Sequence, residues 1–220
     1  MELGLLALRV VVGALLLGHG AQKLFGWFGG PGLEGTAGFF ESLELRPGRS
    51  MALCAGLAEA LAGVLFALGL LVPVASAFLI ATMAVAIATV HRRHGLWATD
   101  GGYEYNLVLS AVALALAGVG AGRWSLDHVL GIADAGTGWA LAALAVGALG
   151  GFVAIAAGRL GARRGGHGGR TRPPLAPAVA DLSVLGPAES REPLQGAVTW
   201  RRSTVSVKIA APLQRGRIFR

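Results

Sequence analysis

Two basic side chains, His19 and Lys23, stand four residues apart inside an apolar run, and the aromatic, glycine-rich stretch FGWFGGPGLEG follows directly. Ionisable groups at membrane depth are costly, so each needs a partner or a purpose. At helical periodicity Arg9, His19 and Lys23 fall within about 80° of one another on one face. Gly13 and Gly20 lie beside them, which lets a neighbouring backbone approach. In a second apolar run Glu59 has Gly56 and Gly63 on its own side. Taking each helix from a common boundary, His19 lies about 9 Å deep, Glu59 about 12 Å and Arg9 about 24 Å. Glu59 is therefore expected to pair with His19 or Lys23, with Arg9 the more remote partner.

Further polar groups arrive at the same end of the molecule. The third run closes on TVHRRH, which brings His91, and the fourth opens on DGGYEYNL, which brings Tyr103, Glu104, Tyr105 and Asn106. Asp100 or the paired glycines are expected to start that helix, with an acidic first turn suited to its dipole. His19, Lys23, Glu59, His91, Glu104 and Asn106 are expected to converge on one polar pocket, with Phe25, Trp27 and Tyr103 as its walls. Each has a plainer reading. Trp27, Trp97 and the tyrosines suit an interfacial belt, Arg92 and Arg93 suit topology anchors, and Glu59 with a basic partner suits a structural ion pair.

The elements that must position these groups follow from composition. Of 220 residues, 54% are hydrophobic and only 14% are charged, with mean hydropathy +0.63; soluble domains carry about 25% charged residues. Apolar runs at Leu3–Phe25, Met51–Leu71, Pro73–Val90, Leu107–Gly120 and Gly138–Gly158 approach the length needed to cross a bilayer. The expected fold is all-α, a polytopic transmembrane four-helix bundle with a fifth transmembrane helix. Thr36–Leu45 reads as a short interfacial helix carrying Phe39, Phe40 and Leu43 on one side. Glu2 and Arg9 interrupt the start of the chain, which reads as a retained first span rather than a cleaved signal.

The net charge of +7 is concentrated at one end: residues 159–220 hold twelve Arg/Lys against three Asp/Glu, a balance of +9. A basic tail on the cytoplasmic side explains this better than nucleic-acid binding. Arg46, Arg49, Arg92 and Arg93 belong to the same side, so the N-terminus faces outward. The expected units are 1–131 for the four-helix domain, 132–160 for the additional helix, and 161–220 for a basic, mostly disordered tail. Within that tail VTWRRSTVSVKIAAPL alternates enough for one weak strand.

Several chemistries are disfavoured. Cys54 is the single cysteine, so no intrachain disulfide, CxxC or zinc spacing exists. GPGLEG at Gly30–Gly35 matches GxGxxG but lacks the preceding strand that dinucleotide binding requires. No metal site and no intrinsic cofactor is expected.

Taken together, HGAQKLFGWFGGPGLEGTAGFFESL, TVHRRHGLW, GGYEYNLVL and SLDHVLG resemble the DoxX family of small bacterial integral membrane proteins, over about residues 3–131. The fifth apolar run and the basic tail depart from the family pattern. The resemblance implies a four-helix bundle in the plasma membrane and an association with redox systems. It implies a membrane subunit of an oxidoreductase that works with a soluble or membrane partner, rather than a self-contained enzyme. Quinone is compatible with the residues: His19 and Lys23 as donors, Glu59 or Glu104 as proton relays, and Phe25, Trp27 and Tyr103 against the ring. The alternative is a non-enzymatic scaffold or small-molecule transporter whose buried charges serve packing or passage. Neither the substrate nor the oligomeric state is legible.

Overall fold

The computed structural model describes residues 2–132 and 134–168, and every regular element among them is helical. Seven α-helices occur in order: α1 Glu2–Phe25, α2 Gly32–Ser42, α3 Gly48–Leu68, α4 Val72–Thr89, α5 Glu104–Val119, α6 Leu126–Leu130 and α7 Thr137–Gly168. Single 3₁₀ turns at Trp27–Gly29, His91–His94 and Ala98–Asp100 bridge some of the connections. The segments Glu2–Phe25, Gly48–Leu68, Val72–Thr89 and Thr137–Arg164 are long and apolar enough to cross a membrane. Helix α5, which corresponds to the expected fourth span Leu107–Gly120, has 16 residues; at 1.5 Å per residue it is about 24 Å long, short of the ~30 Å hydrocarbon layer.

Local chemistry explains the boundaries. Glu2 in the first turn of α1 and Lys23 in its last complement the helix dipole. Gly26 ends α1 in the left-handed region at φ 74°, and Gly69 ends α3 in the same way at φ 63°. Pro73 sits in the first turn of α4, where its missing N–H costs nothing. Helix α2 begins and ends a few residues ahead of the Thr36–Leu45 expectation. Helix α5 begins at Glu104 after Tyr103, while Asp100, the expected starter, belongs to the preceding 3₁₀ turn.

The bundle is packed most closely between α1 and α3. A Cβ on Gly13 would lie 2.6 Å from the Gly63 carbonyl oxygen, and one on Gly20 would lie 2.8 Å from that of Gly56. These four glycines let two membrane-length helices meet backbone to backbone. The core behind them is apolar and includes Leu16, Phe66, Leu79 and Leu116. The outward faces are apolar too: Val11, Leu57, Val108 and Phe152 are all exposed. A helix that is apolar all round suits lipid rather than water.

Helix α7 packs along α4 and α5 and touches α3 little. Its far end reaches the turn before α3, where the Arg46 N–H donates to the Gly158 carbonyl at 2.9 Å. This helix continues to Gly168, so residues 161–168 extend it beyond the boundary at 160 expected from sequence. The rest of the expected tail and its weak strand lie outside the described residues.

Candidate functional site

The helices bring charge to two places, one near each end of α1. At the C-terminal end Lys23 Nζ lies 2.5 Å from Glu59 Oε2. The close approach of Gly20 to Gly56 is what lets the Lys23 stem reach one turn along α3. Of the two basic partners expected for Glu59, the structure brings Lys23. The Lys23 side chain keeps 27% of its surface exposed and that of Glu59 only 8%. Thr36, buried on α2, donates its hydroxyl to the Gly32 carbonyl at 2.7 Å and lies 3.4 Å from that of Lys23, pinning α2 beneath the pair.

The ion pair borders a groove of about 750 Å³, within the range of cavities that hold drug-sized molecules. Helix α4 forms its floor through residues from Pro73 to Thr89, while α3 and α7 are its walls. Phe40 and Leu45 close the Lys23 end. The lining is otherwise almost wholly apolar. Thr82 and Thr89 also line it, but their hydroxyls donate to the Leu79 and Val85 carbonyls within α4. Because α3 and α7 barely meet, the groove opens sideways, and Cys54, Phe39 and Val146 on its rim are exposed.

The other residues expected at a shared pocket are elsewhere. His19 is exposed on α1, with Nδ1 3.1 Å from Gln22 Oε1 on the same helix. Phe25 and Trp27 pack with ring centroids 5.3 Å apart and planes tilted by 39°, and both remain exposed at the end of α1. His91 Nδ1 donates to the Gly101 carbonyl at 2.8 Å, and Glu104 accepts from the Ala98 N–H at 2.9 Å. The Tyr103 N–H donates to the Gly95 carbonyl at 3.1 Å. These three residues therefore tie down the α4–α5 connection. Asn106 is buried and its Nδ2 donates to Met83 Sδ at 3.3 Å. The expected convergence fails because α5 packs on α4 and α7 rather than beside the Lys23 end of α1. Among the described residues no group of three His, Cys, Asp or Glu is placed to hold a metal.

The second cluster surrounds Arg9, which is fully buried near the opposite end of α1. Its Nη2 donates to the Trp124 carbonyl at 2.6 Å, while Nε and Nη1 have no hydrogen-bond partner. Gly69 lies so close that any Cβ there would collide with the guanidinium. Glu2 and Asp127 are within electrostatic reach. Glu2 accepts from the Arg123 N–H at 2.6 Å. Asp127, also buried, accepts from the Leu71 N–H at 2.8 Å and the Val72 N–H at 3.4 Å, so it caps α4 from a distant part of the chain. Ser125 starts α6 by accepting from the His128 N–H at 3.2 Å. Arg9 thus belongs to this cluster and not to Glu59. Asp127 and Ser125 were not singled out from the sequence, although the Ser-x-x-His run held an N-cap signal.

Residues 4–92 match the DoxX family model, and this segment of the chain is a DoxX domain. It covers less than half of the chain, taking in Arg9, Lys23 and Glu59 but not Asp127 or α7. No curated protein and no solved structure matches the chain.

Proposed function

We propose that this DoxX domain is the membrane component of a redox system and that its Lys23–Glu59 pair receives the headgroup of a quinone. The observation that carries the reading is the placement of one ion pair on the wall of a long, laterally open, apolar groove. An isoprenoid tail suits the α3–α4–α7 walls, and lateral opening lets such a molecule arrive from the bilayer. The ammonium of Lys23 would donate to a quinone carbonyl, and Glu59 would supply or accept a proton. Reduction to the quinol takes two electrons and two protons. The electrons would come from a partner oxidoreductase. The Lys23 end also carries Arg46, Arg49, Arg92, Arg93 and the C-terminal end of α7, so it would face the cytoplasm in a bacterial plasma membrane.

Cys54 supplies the test, since it is the single cysteine and lines the groove. In lipid nanodiscs a short-chain quinone should slow labelling of Cys54 by a membrane-permeant maleimide, and Glu59→Gln and Lys23→Met should remove that protection. If both variants keep quinone protection but impair folding or complex assembly, the pair is a scaffold element and the quinone reading is wrong.

A further inference from the structure

Five charged side chains at the Lys23 end belong to neither cluster described above. Glu41 lies in the last turn of α2, Glu44 and Arg46 in the turn that leads to α3, and Arg159 and Arg163 near the far end of α7. Four residues apart, the two α7 arginines share one helix face. Together the five line an open pocket of about 590 Å³, whose lining shares no residue with the groove. Among the described residues, Glu41, Glu44, Arg46 and Arg159 form no ion pair with one another. Both signs of charge therefore face one space.

The backbone fixes this arrangement from both sides. The Arg46 N–H donates to the Gly158 carbonyl at 2.9 Å, and a Cβ on Gly161 would strike the Arg46 carbonyl, so α7 lies directly against the turn. Helix α2 ends as a Schellman turn: the Leu45 N–H donates to the Phe40 carbonyl and the Glu44 N–H to the Glu41 carbonyl, each at 3.0 Å. Glu44 takes the left-handed position of that turn at φ 60°, where glycine is the usual residue. In a chain with 35 glycines, a glutamate at this strained position points to a use for its carboxylate rather than for its backbone. Glu41 is held by α3, since a Cβ on Gly48 would lie 2.5 Å from Glu41 Cγ.

The depth suits a lipid headgroup. Arg159 stands five residues before the end of the apolar segment Thr137–Arg164, about 8 Å of helix. Exposed Phe152, two turns earlier on the same face, offers acyl chains a surface. The geometry points to a site for the headgroup of phosphatidylethanolamine. The guanidinium groups of Arg46, Arg159 and Arg163 donate to its phosphate, and Glu41 and Glu44 accept N–H bonds from its ammonium. Basic pockets between helices at the cytoplasmic side are a general form of headgroup site; here the two carboxylates select a zwitterion over a purely anionic lipid. One lipid so held joins α7 to the α2–α3 turn and braces a wall of the groove. The site does not depend on what the groove receives.

Native mass spectrometry of the full chain tests this without quinone. The protein is released from detergent after incubation with equimolar phosphatidylethanolamine, phosphatidylcholine and phosphatidylglycerol of identical acyl chains, so that only the headgroup differs. The wild type should retain the ethanolamine lipid severalfold over the other two. Arg46→Gln combined with Arg159→Gln should lose that excess. Glu41→Gln combined with Glu44→Gln should still retain lipid but reverse the preference towards phosphatidylglycerol, a result that an unfolded variant could not give. Equal retention of the three lipids by the wild type, or a wild-type preference for phosphatidylglycerol, overturns the proposal. So does an ethanolamine preference that survives either double variant. Excess inorganic phosphate should leave the retained lipid unchanged; if it strips the lipid, the pocket is a free-phosphate site and the lipid assignment is overturned.

Discussion

The two charged regions of α1 differ in how their burden is carried. Arg9 is sealed in, without solvent exposure, and draws its contacts from the backbone at Trp124, Gly69 and the carboxylates nearby. Lys23 remains partly exposed and has a single side-chain partner at the edge of an open groove. A sealed cation joined to several segments fixes their arrangement. A half-open ion pair leaves donor and acceptor capacity for something that enters. Charge inside an apolar bundle therefore identifies a candidate site only when accessible space adjoins it.

Substitutions should separate the two regions. The largest effect is expected from Arg9→Leu, which orphans the Trp124 carbonyl and leaves the carboxylates uncompensated; the cost should be about 3–5 kcal/mol, read by thermal unfolding in detergent. Arg9→Lys should recover only part of this, because an ammonium lacks the planar fork. Gly20→Val should cost about 1–3 kcal/mol through overpacking against Gly56 and Ala60, and should also weaken Cys54 protection by displacing Lys23.

A smaller stability loss, about 1–2 kcal/mol, is expected for Glu59→Gln, since the partly exposed Lys23 can recover solvent. Its effect on quinone protection should nonetheless be complete, and an Arg9 variant with intact protection would sharpen the contrast further. The pH dependence at the Arg9 end should be modest and of defined sign. The Asp134 carboxyl contributes stability that is full below its ordinary pKa of 3.8 and is lost as pH rises through the raised value. The pH profile of thermal unfolding should show that loss, and Asp134→Asn should flatten it. The smallest effect belongs to His19→Ala, within about 0.5 kcal/mol and without change in Cys54 labelling, because His19 is exposed and its hydrogen bond is to Gln22 of the same helix. A large effect there would break the division between the two regions.

Some of this arrangement was legible before folding was considered. The glycines at 13, 20, 56 and 63 marked the faces on which α1 and α3 meet, because only a residue without Cβ permits that approach. A basic partner for Glu59 from α1 followed from helix rise, and Lys23 is that partner. The shared pocket was not recoverable in the same way. Depth along a helix places residues at one level of the bundle, but it does not say which helix lies beside which. His91, Glu104 and Asn106 are at the expected end of α4 and α5 and still miss the groove, because α7 and α3 occupy its walls.

The sequence by itself determined an apolar, helical, membrane-suited chain, the glycine seam, and the identity of the groups whose burial had to be compensated. Tertiary structure decided which groups compensate them. Arg9 finds the carbonyl of Trp124, 115 residues away, and Asp127 finds the amides of Leu71 and Val72, 56 and 55 residues away. The physical reason is that every residue carries a backbone carbonyl and all but proline carry an N–H. A partner of that kind has no signature in residue type, so only the fold can select it.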